Sequence, residues 1–184
     1  TDETDQLGDP VTSASSVIGY AFDAGEDGGS AVVSLAINGG DGTDSGLKTT
    51  SGTAIYLYDN AGIIEGRIGG EDGDVAFTVS IGQDGKLTVT QEVSLYHPDP
   101  ATLVAGDVSS YDEAVDLAGK INAVVTVTDG DLDVVRQSVD VGAVIKFEDD
   151  GPTFTEALGL TEVSVVTDET DQLGDPVTSA SSVI

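Results

Sequence analysis

The chain has no cysteine, so no disulfide can staple it, and its core or bound metal must hold it instead. It has no tryptophan, and aromatics are only 5% of its residues, so any core it builds is aliphatic and thin. Its one histidine, His97, lies in the turn-like YHPDP and reads as a loop residue; with no cysteine beside it, a zinc site of the usual His/Cys type is nearly excluded. No glycine-rich loop carries the lysine that a phosphate-binding loop needs. Paired carboxylates abound, but a glycosidase needs an aromatic-lined cleft. Basic residues are scarce as well: 6 Lys and Arg face 34 Asp and Glu, a net charge of −28. Nucleic acid is thereby excluded as a natural partner and anionic membrane surfaces are disfavoured. No run approaches the roughly 20 apolar residues that span a bilayer. The expectation is a protein that is not an enzyme, inserts in no membrane and has no small-molecule substrate.

What the chain has in quantity is β-forming sequence. It is 39% hydrophobic, weighted to Val and Ile, with 24 glycines to supply turns. Apolar residues recur with period two: Val33, Leu35 and Ile37 within Ala31–Ile37; a short run at Ala54–Tyr58; Val75, Phe77, Val79 and Ile81; then Leu87, Val89, Val93 and Leu95 after an Asp84-Gly85 turn. Two alternating runs around Asp-Gly are a strong hairpin signal. A second hairpin pairs Ile121–Thr128 with a long strand whose Val135, Val139, Val141, Ala143, Ile145 and Phe147 are expected to face inward. Leu160–Val166 reads as a further strand, Tyr111–Ala118 as one helical turn at most, and 23–30, 38–46 and 69–74 as glycine-rich acidic loops. The fold class expected is all-β, a Greek-key sandwich with little or no helix.

Residues 1–18, TDETDQLGDPVTSASSVI, recur without a difference at 167–184, a period of 166 residues. That period is far beyond the roughly 20–50 residues of a solenoid repeat and close to the size of an independent domain. The chain therefore reads as one unit (1–151), a linker or strand (152–166) and the start of the next unit (167–184), with neighbouring identical repeats as its partners. LTEVSVV at 160–166 fits either as the last strand of one unit or as the first strand of the next.

Such a charge opposes compactness by self-repulsion, and divalent cations are the direct remedy. Calcium takes roughly 6–8 oxygen ligands, often from carboxylates at alternate positions near glycines. Four clusters have that character: Asp129, Asp131 and Asp133; Glu148, Asp149 and Asp150, followed by Gly151-Pro152; Asp168, Glu169 and Asp171, with their first copy at Asp2, Glu3 and Asp5; and Glu71, Asp72 and Asp74. The first is spaced like the opening of an EF-hand loop, but Val134 stands at the sixth position and no helix flanks it, so a cation site in a β-turn is expected instead. Single acidic turns are often only solvated Asx turns. Clusters on both sides of 152–166 would repel one another unless a cation bridged them into a rigid joint. Glu65-Gly66-Arg67 reads as a cross-strand ion pair.

EGR at 65–67, YHPD at 96–99, AVVTVTDGDLDVVRQSVDVGAVIKFEDDGPT at 123–153 and the DETD opening together resemble the repeat domains of giant type I secreted RTX adhesins. The resemblance covers nearly the whole unit, and the VTDGDxD…DDGP pairing is its most specific part. It implies Ig-like sandwiches that bind Ca²⁺ and stand end to end on a bacterial cell surface, as extracellular extenders that project a distal ligand-binding region. Leu132 replaces the glycine usual in that turn. The rival expectation is a module that binds carbohydrate or another surface polymer through Ca²⁺.

Overall fold

In this computed structural model residues 7–98 and 114–149 are described. The chain divides into two units, Thr1–Gly151 and Pro152–Ile184. The second unit, with the strand expected at 160–166, lies outside the described residues.

Among the described residues eleven strands follow one another: β1 (Pro10–Thr12), β2 (Gly29–Ile37), β3 (Thr43–Lys48), β4 (Ala54–Asn60), β5 (Ile63–Ile68), β6 (Val75–Ile81), β7 (Leu87–Gln91), β8 (Val115–Asp116), β9 (Ile121–Asp129), β10 (Val134–Asp140) and β11 (Lys146–Phe147). A six-stranded sheet runs β1-β7-β6-β5-β4-β3, a three-stranded sheet β10-β9-β2, and β11 pairs with β8. Every pairing is antiparallel. The long connections that bring β1 beside β7 and β2 beside β9 are of the Greek-key kind. The protein is an all-β sandwich, as the alternating pattern led one to expect. Among the described residues no helix is long and apolar enough to cross a membrane.

The core lies where the two larger sheets face each other. Ile55, Leu57, Ile64, Phe77 and Val79 come from the six-stranded sheet, and Leu35, Ile121 and Ala123 from the three-stranded one. Leu117, Ile145 and Phe147 close one end, with the rings of Phe77 and Phe147 tilted at 49° and 5.0 Å between centroids. Two phenylalanines in contact supply much of the bulk that a tryptophan-free core needs. The β6–β7 hairpin forms where Asp84-Gly85 marks it: Ile81 pairs with Leu87, and Gly85 takes a φ of 74°, which only glycine adopts readily.

Four expectations need correction. The strand expected to run on to Phe147 stops at Asp140. There the Asp140 carboxylate accepts the N–H groups of Gly119 and Gly142, both at 2.9 Å, and the chain turns through a 3-10 turn at Gly142–Val144. Gly142 sits so tightly on Leu117 that an added Cβ would overlap the Leu117 carbonyl. Val141, Ile145 and Phe147 are buried, but Ala143 is exposed, and so are Val135 and Val139 at 60% and 54%. Register puts Val135 opposite Val127 and Val139 opposite Ala123, hence on the inner face, yet β10 is an edge strand with little packed over it. Second, 38–46 is only partly a loop, since β3 begins at Thr43. Third, in place of a helical turn the described part of 111–118 holds β8; residues 111–113 lie outside the described residues. Fourth, Glu65 and Arg67 pair along one strand, on one face of β5, not across strands. His97 lies in a loop, as expected, and is buried there.

That β5 pair shows how the fold handles charge by itself. Arg67 Nη2 lies 2.5 Å from Glu65 Oε2, Arg67 Nε donates to the same oxygen at 2.8 Å, and Asn60 Nδ2 donates to Oε1 at 2.7 Å. Arg67 Nη1 also donates to the Gly73 carbonyl at 3.0 Å. Gly66 stands between them because the Phe77 ring lies against its α-carbon: a Cβ there would be 2.4 Å from the ring. The motif Glu-Gly-Arg thus combines a saturated ion pair with a seat for a core aromatic.

Candidate metal centre

The β9–β10 hairpin ends in the turn Gly130–Asp133. The turn is closed by backbone bonds from Asp129 N–H to the Asp133 carbonyl (3.1 Å) and from Leu132 N–H to the Asp129 carbonyl (3.3 Å). Leu132 has a φ of 76°, a conformation that favours glycine and is uncommon for a leucine. Leu132 stands where the resemblance would place a glycine, and the backbone takes the shape a glycine would take. Leu132 accordingly projects its side chain into solvent, 77% exposed.

This backbone gathers carboxylates. Asp129, Asp131 and Asp133 each offer an oxygen, and those oxygens lie within 4.8 Å of one another. Asp129 is half-buried and the other two are exposed. One Asp129 oxygen accepts the Asp133 N–H at 2.8 Å. The Asp129 carboxyl is held below its ordinary value of 3.8, first by a hydrogen bond with the Asp131 carboxyl, then by the Asp133 N–H and by the Asp131 and Leu132 N–H groups, against a weaker opposing effect of burial. A donor set made only of hard oxygens suits calcium or magnesium, not a thiophilic metal. Three carboxylates leave further positions for water or backbone carbonyls. The three residues fit a metal ion.

A neighbour of this turn carries no signal in the alternation pattern. The acidic loop 23–28 packs against it: a Cβ on Gly130 would stand 2.6 Å from the Asp27 carbonyl oxygen, and one on Gly29 would stand 2.4 Å from that of Thr128. Asp27 thus enters the surroundings of the Asp turn through the pairing of Gly29 with Asp129 at the start of β2. Only the Gly28-Gly29 pair could have hinted at so close an approach.

Among the described residues no other group of three His, Cys, Asp or Glu side chains is gathered in this way. Glu71, Asp72 and Asp74 occupy the β5–β6 turn, where the Asp74 carbonyl accepts the Ile68 N–H at 3.0 Å. Glu148 is exposed and Asp149 half-buried just after β11. Asp150, Asp168, Glu169 and Asp171, like Asp2, Glu3 and Asp5, lie outside the described residues.

An all-β sandwich with a three-carboxylate turn at one end of a hairpin is the class of protein this architecture defines. The chain belongs to a family described as a domain of unknown function (DUF5801), whose profile matches residues 1–142, from before β1 to beyond the Asp turn and β10. No curated protein and no solved structure matches the chain.

Proposed function

We propose that the chain is one unit, and the start of the next, of an extracellular spacer: a repeated extender of a type I secreted, RTX-like bacterial surface adhesin, stiffened by Ca²⁺. The observation that carries this reading is the Asp129–Asp131–Asp133 turn, three carboxylates gathered in a chain of net charge −28 whose residues 1–18 recur at 167–184. Three like charges this close repel, and they are tolerated best when a cation takes their place among the counter-charges. Calcium held by Asp129, Asp131 and Asp133 would turn that repulsion into attraction and fix the end of the β9–β10 hairpin. Because Gly130 packs on Asp27 and Gly29 on Thr128, a fixed turn also fixes the start of β2. A rigid unit repeated end to end gives length, which is the whole of the proposed function.

Thermal melts in millimolar Ca²⁺ and in EDTA test it. At a hundredfold excess over Kd, mass action gives about 2.7 kcal/mol of added stability. Identical melts, with no heat of Ca²⁺ binding in calorimetry, would overturn the calcium part of the reading.

A further inference from the structure

The three-stranded sheet has two edges, finished differently. On the β2 edge, the Gln83 side chain from the β6–β7 turn acts as a short strand: Val33 N–H donates to its Oε1 and its Nε2 donates to the Val33 carbonyl, both at 2.9 Å. Among the described residues the β10 edge has no strand beside it. Beside β10 runs a groove of about 320 Å³, between the inner face of β9–β10 and the segment Ile18–Asp23. Tyr20, Phe22, Val125, Val127, Val135 and Val139 give it its apolar lining. Four of these are large side chains 44–60% exposed: Tyr20, Phe22, Val139 and Val135. An uncovered edge strand with exposed apolar residues is a template for another strand.

We infer that the segment Leu160–Val166, LTEVSVV, is the first strand of the unit that follows it in the array, adding to the β10 edge of that unit and filling its groove. Three observations single out this occupant. The first is place. The segment stands directly before the repeated block at Thr167, so in the array it precedes the residue equivalent to Thr1 of the next unit. Nine residues, Thr1–Asp9, then lead to β1. Nine residues reach about 30 Å, some three times the roughly 10 Å between packed sheets, so the segment can cross from the sheet of β1 to the sheet of β10. The second is pattern. Seven residues match the seven of β10, and in each every second residue forms one face: Thr161, Val163 and Val165 in the segment, Val135, Gln137 and Val139 in β10. The third is charge. Arg136, on the outer face of β10, makes no ion pair among the described residues, and Glu162 lies on the matching face of the incoming strand. Backbone bonds along the edge would supply affinity, and the two valines would set register.

Each unit then begins near residue 160 of the one before, and adjoining units are joined by a strand as well as by a linker. The inference rests on the repeat and not on calcium, so both conditions, Ca²⁺ and EDTA, enter the test. The 184-residue chain carries LTEVSVV only after its described unit; it is compared with the same chain bearing a further copy of residues 160–166 directly before Thr1. Hydrogen exchange at the β10 amides is expected to slow by about tenfold or more in the extended chain. The change equivalent to Val163→Asp, made in the added copy alone, is expected to abolish the slowing. Unchanged β10 exchange in the extended chain overturns the proposal. So does faster β10 exchange when Val163→Asp is made in the unextended chain, because the segment would then be folding back on its own unit. Protection that grows with protein concentration in the unextended chain would assign the edge to a second copy and overturns it too.

Discussion

The six-stranded sheet and the three-stranded sheet face the same core, but they are completed in opposite ways. In the larger sheet the demanding groups are answered from within. Glu65 has Arg67 and Asn60, Gly66 receives the ring of Phe77, and the ring is fully buried. In the smaller sheet the demanding groups sit at the margins. Its hairpin ends in three carboxylates without a basic residue among them, and all seven residues of β10 are exposed. The difference teaches where this fold depends on its surroundings. The large sheet answers its own charge, while the small sheet leaves three carboxylates and, among the described residues, one edge without a partner strand.

That contrast can be broken from the large-sheet side first. Gly66→Ala puts a Cβ against a ring that has no room to retreat, and a cost of about 3 kcal/mol is expected from such overpacking. Denaturant melts should record that loss equally in Ca²⁺ and in EDTA; a loss that calcium repaired would mean the two sheets are not independent. Next in size is the change on the small-sheet side. Asp129→Asn with Asp131→Asn should leave the EDTA melt nearly unchanged and abolish the Ca²⁺ increment of about 2.7 kcal/mol expected at hundredfold excess. A double variant that kept the increment would move the calcium elsewhere. Smaller still is Gln83→Ala, which opens the sealed β2 edge by removing two hydrogen bonds at an exchange value of about 1 kcal/mol each at most. Its signature is local: faster amide exchange at Val33 with little change at β10.

The same contrast explains how far the sequence could be read. Strands buried on one face announce themselves by alternation, so Val33 and Leu35, Phe77 and Val79, and Ile121 and Ala123 are legible as core. Val135 and Val139 carry the same pattern but lie on an edge strand, and alternation reports which face a side chain takes, not whether anything covers it. β3 is hidden because TDSGLK contains Gly46 at a φ of 84° and Ser45 buried through a hydrogen bond to the Ile55 carbonyl (2.7 Å), a polar inward position that no hydrophobic pattern reveals. The end of β10 is hidden for a related reason: Asp140 stops the strand by bonding to Gly119, which is distant in sequence. For the candidate metal centre, spacing offers Asp129, Asp131 and Asp133 as one of four acidic clusters, and the fold is what gathers these three. The approach of Asp27 depends on the pairing of β2 with β9, a long-range contact that no local motif encodes.

The smallest effect is also the most local, and it concerns acid. The hydrogen bond with Asp131, followed by the Asp133 N–H, lowers the Asp129 pKa in the folded chain. A carboxyl whose folded value is depressed contributes stability that is complete above its unfolded value of about 3.9 and fades as pH falls through the lower folded value. The hairpin end should therefore be indifferent to pH from neutrality down to about 5 and loosen only below about 4, where Asp129 takes up its proton. Calcium bound there as proposed would sharpen the limb, because a protonated carboxyl is no longer a ligand and binding would weaken as pH falls toward that window. Carboxyl titration by NMR in EDTA tests the geometry without the metal. Asp129 should protonate below the ordinary aspartate range, and the amide signals of Leu132 and Asp133 should move with it. An Asp129 that titrates at or above that range would show that the Asp131 and Asp133 hydrogen bonds do not hold the turn in solution. In that case the three carboxylates would not be gathered before calcium arrives, and the cation would have to assemble the turn as well as occupy it.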